Sequence, residues 1–213
     1  MNKILQTIKL KYKYAIEPLF LPYKDSFFEI LEKGDIAVDC GANVGDVTQK
    51  MVDKGATVHA FEPNPYAFKV LTERFGNNPQ VHLHNKGVWD RNSTLKLFFH
   101  SKAEEDQIHW STGSSILSDK ENVNPGSFVE IQVIDLIEFV ESLNKKVKLL
   151  KIDIEGAECE VLEKMLLHNM QEKVGLTLVE THEIKNESLK PKTDAIRAKI
   201  KKQKITNINL DWG

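Results

Sequence analysis

Apolar residues along this chain fall into short blocks separated by longer stretches with helical spacing. Ile36 to Cys40, Thr57 to Phe61, Val81 to His84, Val147 to Ile154 and Val174 to Thr181 are runs of four to eight residues, the length of strands rather than helices. Leu149-Leu150-Lys151-Ile152-Asp153-Ile154 is nearly continuous in apolar residues, as strands buried on both faces of a parallel sheet are. Between the blocks the spacing predicts helices from Val44 to Lys54, closed by Gly55, from Pro65, suited to a first turn, to Phe75, from Asp135 to Leu143, from Glu158 to His168 and from Lys192 to Gln203. Thr94 to His100 and Phe128 to Val133 alternate and are expected to pair with each other, and Ile205 to Leu210 is expected as a last strand. Strands alternating with helices predict an α/β fold, a mostly parallel sheet with helices on both faces.

Residues 1–33 have helical periodicity broken near Pro18 and Pro22 and are expected as an N-terminal helical extension to a domain spanning 34–213. The polar segment Ser101 to Ser127, with Trp110-Ser111-Thr112-Gly113-Ser114-Ser115 inside it, is long for a connection in a compact domain, so it is expected either as a substrate-side loop or as disordered.

Composition narrows the class. The chain has 213 residues, 29 Lys and Arg against 31 Asp and Glu, and a net charge of -2, which gives no electrostatic case for nucleic acid as a partner. The two cysteines, Cys40 and Cys159, suggest neither a disulfide framework nor a metal cluster. With no apolar run long enough for a transmembrane segment and no signal-peptide pattern at the N-terminus, a cytoplasmic protein is expected.

The first chemical motif is Val38-Asp39-Cys40-Gly41-Ala42-Asn43-Val44-Gly45. A strand ends in an acid, a glycine turn follows and a helix begins, as at the entry to a nucleotide-binding α/β unit. Gly41 and Gly45 permit a sharp turn and close approach to a ligand. Some twenty residues on, after the second strand, stands Glu62, placed to accept hydrogen bonds from both hydroxyls of a ribose. Asp39 before the first glycine would repel a pyrophosphate unless neutralised, and would attract a sulfonium or an ammonium. The glycines are spaced Gly-x-x-x-Gly. These features favour S-adenosylmethionine over NAD and leave a dinucleotide oxidoreductase as the rival.

The second motif is Lys151-Ile152-Asp153-Ile154-Glu155-Gly156-Ala157-Glu158, at the carboxyl end of a central strand where α/β sheets bind ligands. Acids at a helix N-terminus explain Glu155 and Glu158 without any function. They do not explain Lys151 and Asp153, which share a face of the strand itself and are costly to bury without partners. Glu180 and His182 end the next strand, which brings His182 near Asp153 or Glu155, where it could take a hydroxyl proton. The spacing of His, Cys and Asp signals no metal site.

These motifs, with Phe61-Glu62-Pro63-Asn64-Pro65, Ser114-Ser115 and Val133-Ile134-Asp135 between them, resemble the FkbM family of methyltransferases over about Gly34 to His182. The resemblance implies the class I methyltransferase (Rossmann-like) fold and methyl transfer from S-adenosylmethionine to an oxygen, with a glycan or small-molecule hydroxyl as acceptor. It implies that Asp39, Gly41, Asn43 and Gly45 hold the methionine part, that Glu62 holds the ribose, and that Asn85, Gly87 and Val88 approach the adenine. It places Asp153, Glu155 and His182 at the methyl group and the acceptor. A second copy of the chain or a glycosyltransferase is left open as a partner. Against this stand a nucleic-acid methyltransferase, which lacks here an Asn-Pro-Pro-Tyr-like motif after the fourth strand, and a non-catalytic binding module that keeps the fold. Only about thirty residues follow His182, so a final antiparallel edge strand is expected to be missing or very short.

Overall fold

The computed structural model describes residues 25–117, 122–184 and 186–212; of the helical extension expected over 1–33, residues 1–24 lie outside them. In chain order the elements are β1 (Ile36–Cys40), α1 (Asp46–Asp53), β2 (Thr57–Phe61), α2 (Pro65–Phe75), β3 (Val81–His84), β4 (Gly87–Trp89), β5 (Ser93–His100), β6 (Val123–Asp135), α3 (Leu136–Ser142), β7 (Val147–Ile152), α4 (Glu158–Leu167), β8 (Val174–Val179), α5 (Lys190–Gln203) and β9 (Ile208–Asn209).

Six strands form one sheet in the order β3-β2-β1-β7-β8-β9, every pairing parallel. The order reverses between β1 and β7, which leaves a crevice at their carboxyl ends. Period-two alternation divides the two faces. Val38, Cys40, Leu150 and Ile152 pack with Leu162 and Met165 of α4 and Ile196 of α5, whereas Ala37, Val58, Leu149 and Leu178 pack with Met51 of α1. Phe28 and Leu31 lie buried in that second cluster, so the last residues before the domain boundary expected at 34 are packed into its core.

Several boundaries move for local reasons. The helix expected from Val44 begins at Asp46, because Asn43 (φ 49°) and Gly45 (φ 93°) are left-handed and cannot belong to a right-handed helix. β7 stops at Ile152, and left-handed Glu155 (φ 58°) and Gly156 (φ 114°) turn the chain into α4. The last strand has two residues, and it pairs parallel to β8.

Thr94 to His100 does pair with Phe128 to Val133, antiparallel, with Thr94 opposite Gln132 and Phe98 opposite Phe128. The pair forms a separate three-stranded sheet, β4-β6-β5. Its third member, Gly87–Trp89, pairs parallel to β6 and is too short to show in the apolar pattern. The Ser101 to Ser127 segment is described except for 118–121. It carries a 3-10 helix, His109–Gly113, and a bridge from Ser115 to Phe98.

Asn64 caps α2: its side-chain oxygen accepts from the backbone N–H of Tyr66 at 2.9 Å and of Ala67 at 3.4 Å, while its amide donates to Ser114 Oγ at 3.1 Å. Removing a cap of this kind costs about 1 kcal/mol. Asn64→Ala is therefore expected to lower stability by about 1–2 kcal/mol, the upper end including the lost tie to Ser114, as read from urea denaturation. An unchanged midpoint would show that neither contact contributes.

Candidate active site

A cleft opens at the carboxyl ends of β1, β2 and β7, where α/β sheets bind ligands. The turn after β1 supplies Gly41 and Asn43, the end of β2 supplies Glu62, and the turn after β7 supplies Asp153, Ile154 and Glu155. Gly87 and Val88 of β4, with Leu97, Ile131 and Val133 of the smaller sheet, form an apolar wall, and Ser111, Thr112 and Ser114 close one side. Asp39, Gly45, Asn85 and His182, also singled out in the sequence, are not among the lining residues.

Glu62 is buried at the base of the cleft. One carboxylate oxygen accepts from the backbone N–H of Asn43 at 2.8 Å, the other from that of Asn64 at 2.7 Å. Each oxygen keeps capacity for a further donor. Burial pushes its pKa up to about 7 against the opposing pull of those two N–H groups and of Lys151, with Asp39 adding to the rise. Asn85 supports the same residue from behind, its amide donating to the Glu62 carbonyl at 2.9 Å. Left-handed Asn43 caps its own turn, accepting from Val44 N–H at 2.8 Å, and donates to Ser111 Oγ at 2.8 Å.

The serine-rich segment is thus tied to the site at three points: Asn43 to Ser111, Asn64 to Ser114, and Ser115 Oγ donating to the Glu155 carbonyl at 2.6 Å. Asn64 and Ser111 line the cleft and are not among the site residues expected from the sequence. The run of small hydroxyl residues was visible, but the partners that give it meaning are 40 to 68 positions away.

Asp39 and Lys151 face each other across β1 and β7. Lys151 Nζ lies 3.2 Å from Asp39 Oδ1, donates to the carbonyls of Cys40 (3.2 Å) and Gly41 (2.6 Å), and sits 3.5 Å from Asp153 Oδ2. Thr48 of α1 donates to the other Asp39 oxygen at 2.7 Å. Burial opposes the ammonium, but Asp39 and Asp153 outweigh it and hold the Lys151 pKa above its ordinary value. This corrects the charge argument drawn from Asp39: the cation it attracts is the chain's own Lys151, and a buried, neutralised carboxylate discriminates little between a sulfonium and a pyrophosphate.

The glycines are also explained within the chain. A Cβ on Gly41 would stand 1.8 Å from the Asp153 carbonyl oxygen, and one on Gly45 would stand 2.5 Å from the Phe75 ring and 2.7 Å from Leu71. The close approach at each is to protein.

His182 is buried. Its Nδ1 is 3.0 Å from Glu158 Oε1, and its Nε2 is 3.3 Å from Glu155 Oε2 and 3.7 Å from Asp153 Oδ1. Burial opposes its charge, but Glu158, Glu155 and Asp153 together raise its pKa to about 9. Glu158 accepts from the backbone N–H groups of Ile154 and Gly156. Burial works against its charge, but His182 and the Gly156 N–H hold its pKa below the ordinary glutamate value. Asp153 is raised to about 6, by burial first, opposed by Lys151 and His182 and reinforced by Glu180 and Glu155. A ring enclosed by carboxylates and set back from the cleft is poorly placed as a proton acceptor for a bound hydroxyl. It is well placed to hold Asp153 and Glu155, which do reach the cleft. Proximity of His182 to Asp153 or Glu155 was expected from adjacent strand ends, and the structure brings it near both; Glu158 as its anchor was not expected.

A parallel sheet with a reversal of strand order, a turn bearing Gly41 and Asn43, and an acid at the end of the second strand define the Rossmann-like methyltransferase class of α/β domains. The family model for the methyltransferase FkbM domain matches residues 39–204, and the chain belongs to that family. Among curated relatives it is similar to the hexuronic acid methyltransferase AglP of Haloferax volcanii, 29% identical over 155 residues that make up 72% of this chain and 59% of that protein. A shorter stretch of 54 residues is 41% identical to the ribosomal RNA small subunit methyltransferase H of Novosphingobium aromaticivorans, covering 24% of this chain and 16% of that one. The chain thus spans less than two thirds of either relative. A solved structure, precorrin 8W decarboxylase from Methanobacterium thermoautotrophicum, overlaps loosely, with a TM-score of 0.41 and 16% identity over 82% of this chain and 71% of that chain.

Proposed function

We propose that this protein is an S-adenosylmethionine-dependent O-methyltransferase whose acceptor is a sugar hydroxyl, in a polysaccharide, a glycolipid or a glycosylated natural product. The observation that carries the reading is Glu62: a buried carboxylate at the end of β2, pinned by two backbone N–H groups and open to the cleft. Its remaining acceptor capacity matches a ribose diol. The apolar wall at Val88 and Val133 suits an adenine, and Gly41 with Asn43 leaves room for the amino-acid end. Bound there, S-adenosylmethionine supplies an electrophilic methyl group on a sulfonium.

The chain's own part is positioning and proton transfer. Asp153 and Glu155 line the cleft and face the acceptor. As the new O–CH3 bond forms and the S–CH3 bond breaks, the hydroxyl proton passes to one of these carboxylates. His182 and Lys151 hold them in place. The sugar acceptor is supported by the hexuronic acid named for AglP. The net charge of -2 gives an RNA acceptor no electrostatic support.

Calorimetric titration with S-adenosylhomocysteine, with NAD and NADH as controls, tests the cofactor. Micromolar binding of the homocysteine compound alone is the expected outcome, and Glu62→Gln should weaken it by about tenfold to a hundredfold, the loss of one or two charge-assisted hydrogen bonds. Folded wild-type protein that binds only NAD would overturn the reading.

The same residue sets a pH dependence. Below pH 7 Glu62 takes up a proton and loses acceptor capacity; above it, both oxygens accept. Affinity for S-adenosylhomocysteine is therefore expected to rise from pH 5.5 and level off above about 7. Glu62→Gln should flatten the profile. The charges facing Glu62, Lys151 and Asp39, already neutralise one another. A profile unaffected by Glu62→Gln would assign the titration elsewhere.

A further inference from the structure

We propose that Asp153, Glu155 and His182 form a binding site for one divalent metal cation on the acceptor side of the cleft. One donor atom from each of the three lies within 4.8 Å of the other two. They come from two strand ends, the turn after β7 and the residues after β8, so the spacing in sequence gives no metal-site signature.

The histidine carries the inference. Its side chain is 1% exposed. Nδ1 faces Glu158, itself fixed by the N–H groups of Ile154 and Gly156. This orients the ring and aims Nε2 between the two acids. Both ring nitrogens are buried without a well-directed hydrogen bond, and Nε2 stands 3.3 Å from Glu155 Oε2 and 3.7 Å from Asp153 Oδ1. A carboxylate behind a histidine that turns its other nitrogen to a ligand is the arrangement that orients metal-binding histidines and raises their basicity. With metal–ligand bonds of about 2.0–2.2 Å, neighbouring donors in such a site lie about 3.0–3.4 Å apart, close to the 3.3 and 3.7 Å that separate Nε2 from the two acids.

Charge points the same way. Asp153, Glu155, Glu158 and Glu180 converge on this region. The nearest lysine, Lys151, is already held by Asp39 and two carbonyls, and it meets Asp153 through Oδ2, leaving Oδ1 toward His182. Two carboxylates and one imidazole suit Mn²⁺, Fe²⁺ or Zn²⁺ better than the all-oxygen preference of Ca²⁺.

The role of the cation rests on the proposed methyl transfer. Asp153 and Glu155 line the cleft, so a cation between them would accept the acceptor hydroxyl as a further ligand and acidify it, with a carboxylate oxygen that does not ligate the cation taking the proton. An acceptor with two adjacent oxygens, a vicinal diol or an α-hydroxycarboxylate, would chelate it and be selected over one with an isolated hydroxyl.

The test is titration of chelator-treated full-length protein with Mn²⁺, followed by the electron paramagnetic resonance signal of free Mn²⁺. About one ion per chain is expected to bind, with affinity reduced at least about tenfold in Glu155→Gln and again in Asp153→Asn; both are close in shape and partly exposed, and thermal unfolding checks that each is folded. Absence of saturable binding to the folded wild type, or wild-type affinity retained in both variants, overturns the proposal. S-adenosylhomocysteine titrated without metal into the same samples separates the two readings. If it binds and Mn²⁺ does not, the metal site falls and the methyltransferase reading stands; the converse leaves the metal site and removes that reading.

Discussion

Lys151→Met is expected to destabilise the fold by about 3–5 kcal/mol, because removing one member of a buried ion pair leaves the other charge uncompensated. Asp39 is fully buried and Lys151 nearly so, and they sit opposite each other on the two central strands. The same ammonium holds the carbonyls of Cys40 and Gly41, so the turn that carries Asn43 should loosen with it. The loss would appear as a fall in melting temperature of about 6–20 °C, given about 2–4 °C per kcal/mol for a chain of this size. Asp39→Asn combined with Lys151→Met should recover part of it, since neutral partners remove the desolvated charge. Additive single effects in that double-mutant cycle would show that the two charges are not coupled and that the pair is incidental.

Gly41→Ala is the second large effect. Gly41 has φ 78°, a left-handed conformation that costs a residue with a Cβ about 1–2 kcal/mol. The added carbon would stand 1.8 Å from the Asp153 carbonyl oxygen. That atom is backbone and cannot rotate away. The turn after β7 would have to move, adding overpacking strain of about 1–3 kcal/mol. We expect about 2–5 kcal/mol of destabilisation in total, together with loss of S-adenosylhomocysteine binding, because Gly41 and Asp153 both line the cleft. Gly34→Ala, also left-handed at φ 91° but with nothing within 4 Å of a new Cβ, should show the conformational part alone. Equal destabilisation at both positions would rule out the clash.

Much of the fold was legible because local rules decide it. The blocks at β1, β2 and β3 match their expected bounds, since each is a short apolar run closed by a polar or glycine turn. Helix starts were harder where the turn itself was unusual: the two left-handed residues before α1 delay it, and only backbone geometry reveals them. Gly87–Trp89 escaped notice because a three-residue strand owes its existence to β6, more than thirty positions away.

The candidate site divides in the same manner. By itself the sequence determined the alternation of strands and helices, the glycine turn, the acid at the end of β2, and the convergence of Lys151, Asp153 and His182 on the carboxyl edge of the sheet. Period two, turn chemistry and parallel topology settle such features within a few residues of each position. Only the tertiary structure decided which charges meet. It paired Asp39 with Lys151, enclosed His182 among Asp153, Glu155 and Glu158, and brought Ser111 and Ser114 over the cleft. These contacts join strands and loops distant in the chain, and the cost of burying a charge without its partner selects them only once the sheet has placed the partners within reach.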